Sequence, residues 1–184
     1  MKNKVKISLL SLLVLVCMVL LPGCSDDPES TNEEESITTV VVTLTRAGSA
    51  PIVLTWDDAN LDAIVDDTEI TTSGSLLSNE TYTANIQLEN KTAGTPIDEE
   101  VRDEADDHLF CFTATNVNIG FEYADEDSHG RPLGLISTWT TTSASEGTVT
   151  IVLRHQPGVK TGDCPGAGET DVSITFNVEI ENPE

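Results

Sequence analysis

The chain has 184 residues, with 32 Asp and Glu against 9 Lys and Arg, and a formal net charge of −23. A surface this negative repels phosphate, which needs clustered Lys and Arg, so nucleic acid and polybasic docking to anionic lipid are excluded. The length suits one domain with a real core, and no Gly-x-Ser-x-Gly elbow, Gly-rich phosphate loop or His-Glu-x-x-His pattern occurs in it.

Lys2, Lys4 and Lys6 head an apolar run from Ile7 to Leu21 that is broken only by Ser8 and Ser11. This is the layout of a signal peptide. It falls short of the roughly 20 apolar residues a spanning helix needs, and it ends in Pro22-Gly23, which stops a helix. Leu21-Pro22-Gly23-Cys24 resembles the lipobox of bacterial lipoproteins, with Pro22 a departure from the small residue usual there. The resemblance implies cleavage before Cys24 and a lipid on its sulfur. Residues 25–36 carry no apolar side chain and many acids, so they cannot bury enough surface to order themselves and read as a tether. Ser25-Asp26-Asp27 resembles the acidic export signal of Bacteroidota surface lipoproteins, which implies anchoring in the outer membrane with exposure at the cell surface. The expected organisation is therefore a signal peptide (1–23), a lipidated acidic tether (24–36) and a folded domain (37–184).

From Ile37 the apolar period is two. Residues 37–45 are β-branched nearly throughout, and 51–56 follow a turn at Arg46-Ala47-Gly48. Tyr82, Ala84, Ile86 and Leu88 alternate with polar residues, as do Val117, Ile119, Phe121 and Tyr123. Further strands are expected at 108–115, 134–142 and 147–155. Val172, Ile174, Phe176, Val178 and Ile180 make the cleanest alternation in the chain. A short helix is expected over Ile97–Asp107, with Asp98 and Glu99 in its first turn. About eight short strands separated by turn residues predict an all-β fold: a single antiparallel, immunoglobulin-like β-sandwich with one short helix.

The segment from Asp58 to Glu69 places oxygen side chains at loop positions one, three, five, nine and twelve: Asp58, Asn60, Asp62, Asp66 and Glu69. Ile64 can offer its carbonyl at seven. This is the ligand spacing of a calcium loop of the EF-hand kind, set here between strands. Position six is Ala63, which would have to take a left-handed conformation that glycine adopts more cheaply. A solvated acidic loop is the plainer reading of the same residues. A second acidic loop, Asp125–Pro132, could add carboxylates, though Gly130 and Pro132 read as a turn.

On a strand through 108–112, His108 shares a face with Phe110 and Phe112, while Cys111 points the other way. His155 follows Ile151 and Leu153 on the core face of its own strand. The two histidines can meet near a sheet end, with Asp106 or Asp107 completing a zinc or copper shell. The alternative is a pair of hydrogen-bonded rim residues. Cys17 leaves with the signal peptide and Cys24 takes the lipid, so Cys111 and Cys164 are left, and an oxidising envelope permits a disulfide between them. Leu-Phe-Cys111-Phe is an apolar setting that raises a thiol pKa, which suits structure better than nucleophilic attack. Trp56 and Trp139 lie on alternating strands, where burial is the default over a sugar platform.

Several of these stretches together carry a family likeness: the lipobox, the Asp-x-Asn-x-Asp loop after Trp56, Thr81-Tyr82-Thr83-Ala84, the acidic lead into His108, Arg131-Pro-Leu-Gly-Leu135, Leu153-Arg-His155-x-Pro157 and Gly168-Glu-Thr-Asp171. They resemble a group of small Bacteroidota surface lipoproteins that often bear the name type 1 periplasmic binding fold superfamily protein. That name denotes a two-lobed α/β fold, which a chain this short and this rich in strand patterns does not suit. In the group the acidic loop commonly reads Asp-x-Asp-Gly-Asp-Gly, so Asn60 and Ala63 depart from it.

The expected function is non-enzymatic: a lipid-anchored surface protein that binds a metal or other ligand for an outer-membrane receptor or transporter, with calcium in the 58–69 loop. The alternative is a structural or adhesive lipoprotein with no small ligand; an unrecognised hydrolase ranks third.

Overall fold

The computed structural model describes residues 36–183; the expected signal peptide, the expected lipidation site Cys24 and the expected tether up to residue 35 lie outside them. Eleven strands follow in chain order: β1 (Thr39–Thr45), β2 (Ile52–Asp57), β3 (Ile70–Thr72), β4 (Leu76–Leu77), β5 (Thr81–Asn90), β6 (Thr95–Pro96), β7 (His108–Thr115), β8 (Ile119–Tyr123), β9 (Ile136–Thr141), β10 (Ser145–His155) and β11 (Glu169–Glu181). One α-helix, α1 (Asp98–Asp103), stands between β6 and β7, and one turn of 3₁₀-helix spans Asp67–Glu69.

The strands form two sheets, the larger in the order β3-β2-β1-β5-β9-β8 with β6 beside β5, the smaller in the order β4-β11-β10-β7. This is the all-β sandwich of mostly antiparallel strands, with one short helix, that the alternation predicts. The pairs are antiparallel except β4 with β11, which run parallel. Register follows from which face must be dry, since a one-residue slip would turn every apolar side chain to water. In the larger sheet Val42 lies between Leu54 and Ile86; in the smaller, Ile151 lies between Ile174 and Phe112. Along β11 every apolar residue from Val172 to Ile180 is buried, while Ser173, Thr175, Asn177 and Glu179 are exposed. Trp56, Trp139, Phe110 and Phe176 are among the largest fully buried side chains. Each large apolar group contributes about 1.5–3 kcal/mol on burial, which is what holds the sheets face to face.

The helix is shorter than the expected 97–107. It places Val101 in the core and stops at Glu104, after which a tight turn with Asp107 N donating to Glu104 O (2.9 Å) leads directly into β7. At the far end of β7 and β10 the strands come unusually close. A Cβ on Gly147 would stand 2.2 Å from the Thr115 carbonyl oxygen, so only glycine fits there.

Candidate functional site

Two groups of candidate residues gather at one end of the sandwich. The 58–69 segment leaves β2 and winds tightly on itself. Asp58, 2 % exposed, accepts from Asp62 N (3.2 Å) and Ala63 N (3.0 Å), Asn60 accepts from Asp62 N (3.0 Å), and Asp62 accepts from Ile64 N (2.9 Å). Ala63 takes the left-handed conformation its position demands, at φ 59°, and Leu61 does so as well, at 57°. Glu69 returns to the start of the loop, where one carboxylate oxygen accepts from Ala59 N (3.1 Å). Its other oxygen, Oε2, is buried and has no hydrogen-bond partner. Asp66 caps the 3₁₀ turn, and the Thr68 hydroxyl and amide hold its carboxyl below the usual range. The loop thus has the wrapped course of a hard-cation loop with an all-oxygen donor set.

Among the described residues, two groups bring three His, Cys, Asp or Glu ligand atoms within 4.8 Å of one another, and the 58–69 carboxylates, more widely spread, are not one of them. The first comprises Glu104, His108 and His155. His108 and His155 face each other in register across β7 and β10, their rings stacked at 4.8 Å and 8° from parallel. The meeting of the histidines at a sheet end is as expected; their burial is deeper than a rim position, His108 being fully enclosed and His155 7 % exposed. Burial pushes the His108 imidazole down to about 4, against the opposing pull of the Glu104 carbonyl; His155 beside it adds to the lowering. Its Nδ1–H donates to that carbonyl (3.2 Å), and Nε2 lies 3.8 Å from the enclosed Asp171 carboxylate. His155 Nδ1 is buried and makes no hydrogen bond. Two imidazoles with a carboxylate suit zinc or copper by donor chemistry. Parallel rings, however, hold their in-plane lone pairs in parallel planes, so an ion bound by both needs one ring to turn.

Neither Asp106 nor Asp107 completes that set, and here the structure corrects the expectation. Asp107 spends Oδ1 on the Gly158 amide (3.3 Å). Asp106 belongs to the second group, with Asp127 and His129. It accepts from the Ser128 hydroxyl (2.7 Å) and lies 3.1 Å from His129 Nδ1; these contacts, Ser128 first, hold its carboxyl below the usual range. Two cations already serve this group, which weakens any case for a metal there. Arg131 Nε donates to Asp127 (2.7 Å) and Lys160 Nζ lies 3.1 Å from the same oxygen, with both the Asp127 and Lys160 side chains enclosed. Nor do Ser128, His129 and Asp106 form a proton relay. The hydroxyl and the carboxylate both meet the same ring nitrogen, Nδ1, whereas a relay needs one on each nitrogen.

The Asp125–Pro132 loop is consequently a structural knot as well as a turn. Burial alone would raise the Asp127 carboxyl; the Arg131 amide, the Lys160 ammonium and the His129 amide outweigh it and hold the group far below the carboxylate range. Burial lowers the Lys160 ammonium, and Asp127 opposes this. Asp125 accepts from the Gly134 (2.7 Å) and Ile136 (2.9 Å) amides, fixing the entry to β9. Lys160 carries no signal in the sequence, because lysine is a surface residue by default. Cys111 and Cys164 are joined, with Cα atoms 5.7 Å apart. The bridge lies on the outer face of β7, opposite Phe110, as the alternation requires.

No family model matches the chain, and neither does any curated protein or solved structure.

Proposed function

We propose that this chain is a lipid-anchored outer-membrane surface protein that binds a ligand without transforming it, and delivers that ligand to an outer-membrane receptor or transporter. Its 58–69 loop takes calcium through Asp58, Asn60, Asp62, the Ile64 carbonyl, Asp66 and Glu69. The observation that carries the calcium reading is Glu69 Oε2: the twelfth loop position folds back to the first turn with one oxygen bonded to Ala59 N and the other buried without a partner. A bidentate closing carboxylate needs such an oxygen. The test is thermal unfolding in chelator and then in calcium. With a dissociation constant near ~10 µM, about 1 mM calcium stabilises by about 2.7 kcal/mol, a rise of roughly 5–10 °C. Glu69→Gln removes the rise. An unchanged midpoint in the wild-type protein would retire the calcium site and favour a structural or adhesive lipoprotein.

A second reading, capture of zinc or copper by His108, His155 and Glu104, is favoured by the buried, unbonded Nδ1 of His155. It predicts a midpoint shift with zinc or copper that His155→Gln abolishes and Glu69→Gln leaves in place.

A further inference from the structure

A strand at the edge of a sheet pairs with any strand offered to it unless the fold blunts it by shortness, a bulge, lysine or proline. β3 and β4 are blunted by length, at three and two residues. β7 is covered where it begins: Phe110 N donates to the Leu133 carbonyl (2.8 Å), and Phe110 O accepts from the Tyr123 hydroxyl (2.7 Å). β8 has none of these protections. Ile119-Gly120-Phe121-Glu122-Tyr123 contains no lysine or proline and keeps a regular register with β9 along all 5 residues.

The ladder to β9 decides which backbone groups of β8 are free. Ala124 N donates to Ile136 O (3.0 Å) and Thr142 N to Asn118 O (3.1 Å), so the even-numbered residues bond to β9 and the odd-numbered ones turn N–H and C=O outward. Ile119 N folds back to Val117 O (3.1 Å), whereas the N–H and C=O of Phe121 and Tyr123 have no intrachain partner among the described residues. Apolar side chains are uncovered at the same place. Phe121 packs on Phe112 (ring centroids 5.4 Å) and Trp139 (5.0 Å), yet Ile119, Phe121 and Phe112 are only half-buried and Tyr123 is 38 % exposed. One added strand closes both the backbone edge and this seam.

β8 is itself the complement of that edge. Laid antiparallel on a second β8 with Phe121 opposite Phe121, its outward N–H and C=O groups meet their counterparts, and Ile119 falls opposite Tyr123, so the apolar row continues across both copies. On the other face the same register sets Glu122 opposite Gly120, and no like charges meet. A shift of two residues one way sets Glu122 opposite Glu122, and a shift either way shortens the pairing. We propose that two copies of this chain pair antiparallel through β8, about a two-fold axis at Phe121. The contact consumes both edges, so it closes at two copies and does not propagate. With −23 on each chain the copies repel at a distance, and pairing tightens as salt screens them.

The experiment uses cells that express the full chain. Gly120 and Glu122 are exposed, and a Cβ on Gly120 would meet nothing closer than Thr140 O at 4.0 Å, so Gly120→Cys and Glu122→Cys leave the fold of the single copy intact. Expressed together and mildly oxidised with diamide, the two variants should give a reductant-sensitive band of twice the chain's mass. Neither should give it alone, because each position then meets its own counterpart two residues out of register, beyond disulfide reach. In sedimentation equilibrium of the purified chain in density-matched detergent, the dissociation constant should fall severalfold between about 0.02 and about 0.5 M salt. Gly120→Glu sets two like-charge pairs in the interface and should weaken it about tenfold, while Gly120→Lys sets two opposite-charge pairs and should tighten it severalfold. The proposal is overturned by a double-mass band as strong from either variant alone, by crosslinks to other proteins only, by equal effects of Glu and Lys at position 120, or by a wild-type chain that stays monomeric at every concentration and salt.

Discussion

Replacing Lys160 by Met tests whether the enclosed charges in the Asp125–Pro132 loop hold the fold. Lys160 Nζ donates to the Ala105 carbonyl at 2.7 Å and lies 3.1 Å from Asp127 Oδ2. Removing one partner of a buried pair costs about 3–5 kcal/mol, because the remaining charge stays desolvated. In Lys160→Met, Asp127 keeps the Arg131 guanidinium and accepts from the His129 and Arg131 amides. The expected loss is therefore at the lower end, about 3 kcal/mol, or roughly 10 °C for a domain of this size. Asp127→Asn should cost more, since it leaves the Lys160 and Arg131 cations together without their carboxylate. The double variant should be less damaged than the two single losses added, by about 1–3 kcal/mol of coupling. The assay is urea unfolding at neutral pH, repeated in acid. Asp127 titrates below its unfolded value, so its stabilisation is present above about pH 4 and is lost as the pH falls below that. Asp127→Asn should flatten this acid limb. A Lys160→Met loss under about 1 kcal/mol, or an acid limb unchanged in Asp127→Asn, would refute the reasoning.

Three further outcomes follow from the geometry. Replacing Cys111 and Cys164 together by Ala removes a link across 53 residues and should cost about 4 kcal/mol in chemical unfolding, by chain entropy. Gly147→Ala drives a methyl into the Thr115 carbonyl and should destabilise by about 1–3 kcal/mol, read from the thermal midpoint, without altering metal binding. His108 is held near 4, against about 6.5 in the unfolded chain, so the unfolded state binds more protons between these values. Stability from this group is complete above about pH 6.5 and is lost toward pH 4, on the order of 2–3 kcal/mol; His108→Phe should remove that slope in urea midpoints.

The strands were legible because one face of each is dry, so the order of Val172 to Ile180 states its own register. The convergence of His108 and His155 was legible for the same reason: each falls on the core face of a strand near its end. What alternation could not reveal was anything set by chain reversal. Glu104 reaches the histidines because α1 stops early and the turn into β7 is tight, and Asp106 turns away because Ser128, from a loop distant in sequence, claims its carboxylate. β3, β4 and β6 are too short to display a period. The left-handed Ala63 was foreseeable from loop position alone, whereas the cavity beside it is enclosed by four segments far apart in the sequence.

The covalent link between β7 and the segment after β10 also determines how the molecule would respond to a protease. A single cut anywhere between residues 111 and 164 would release no fragment, because the two pieces stay joined through sulfur. Such a nicked molecule would run as an intact chain on a denaturing gel until a reductant was added, and its two pieces would purify together until then.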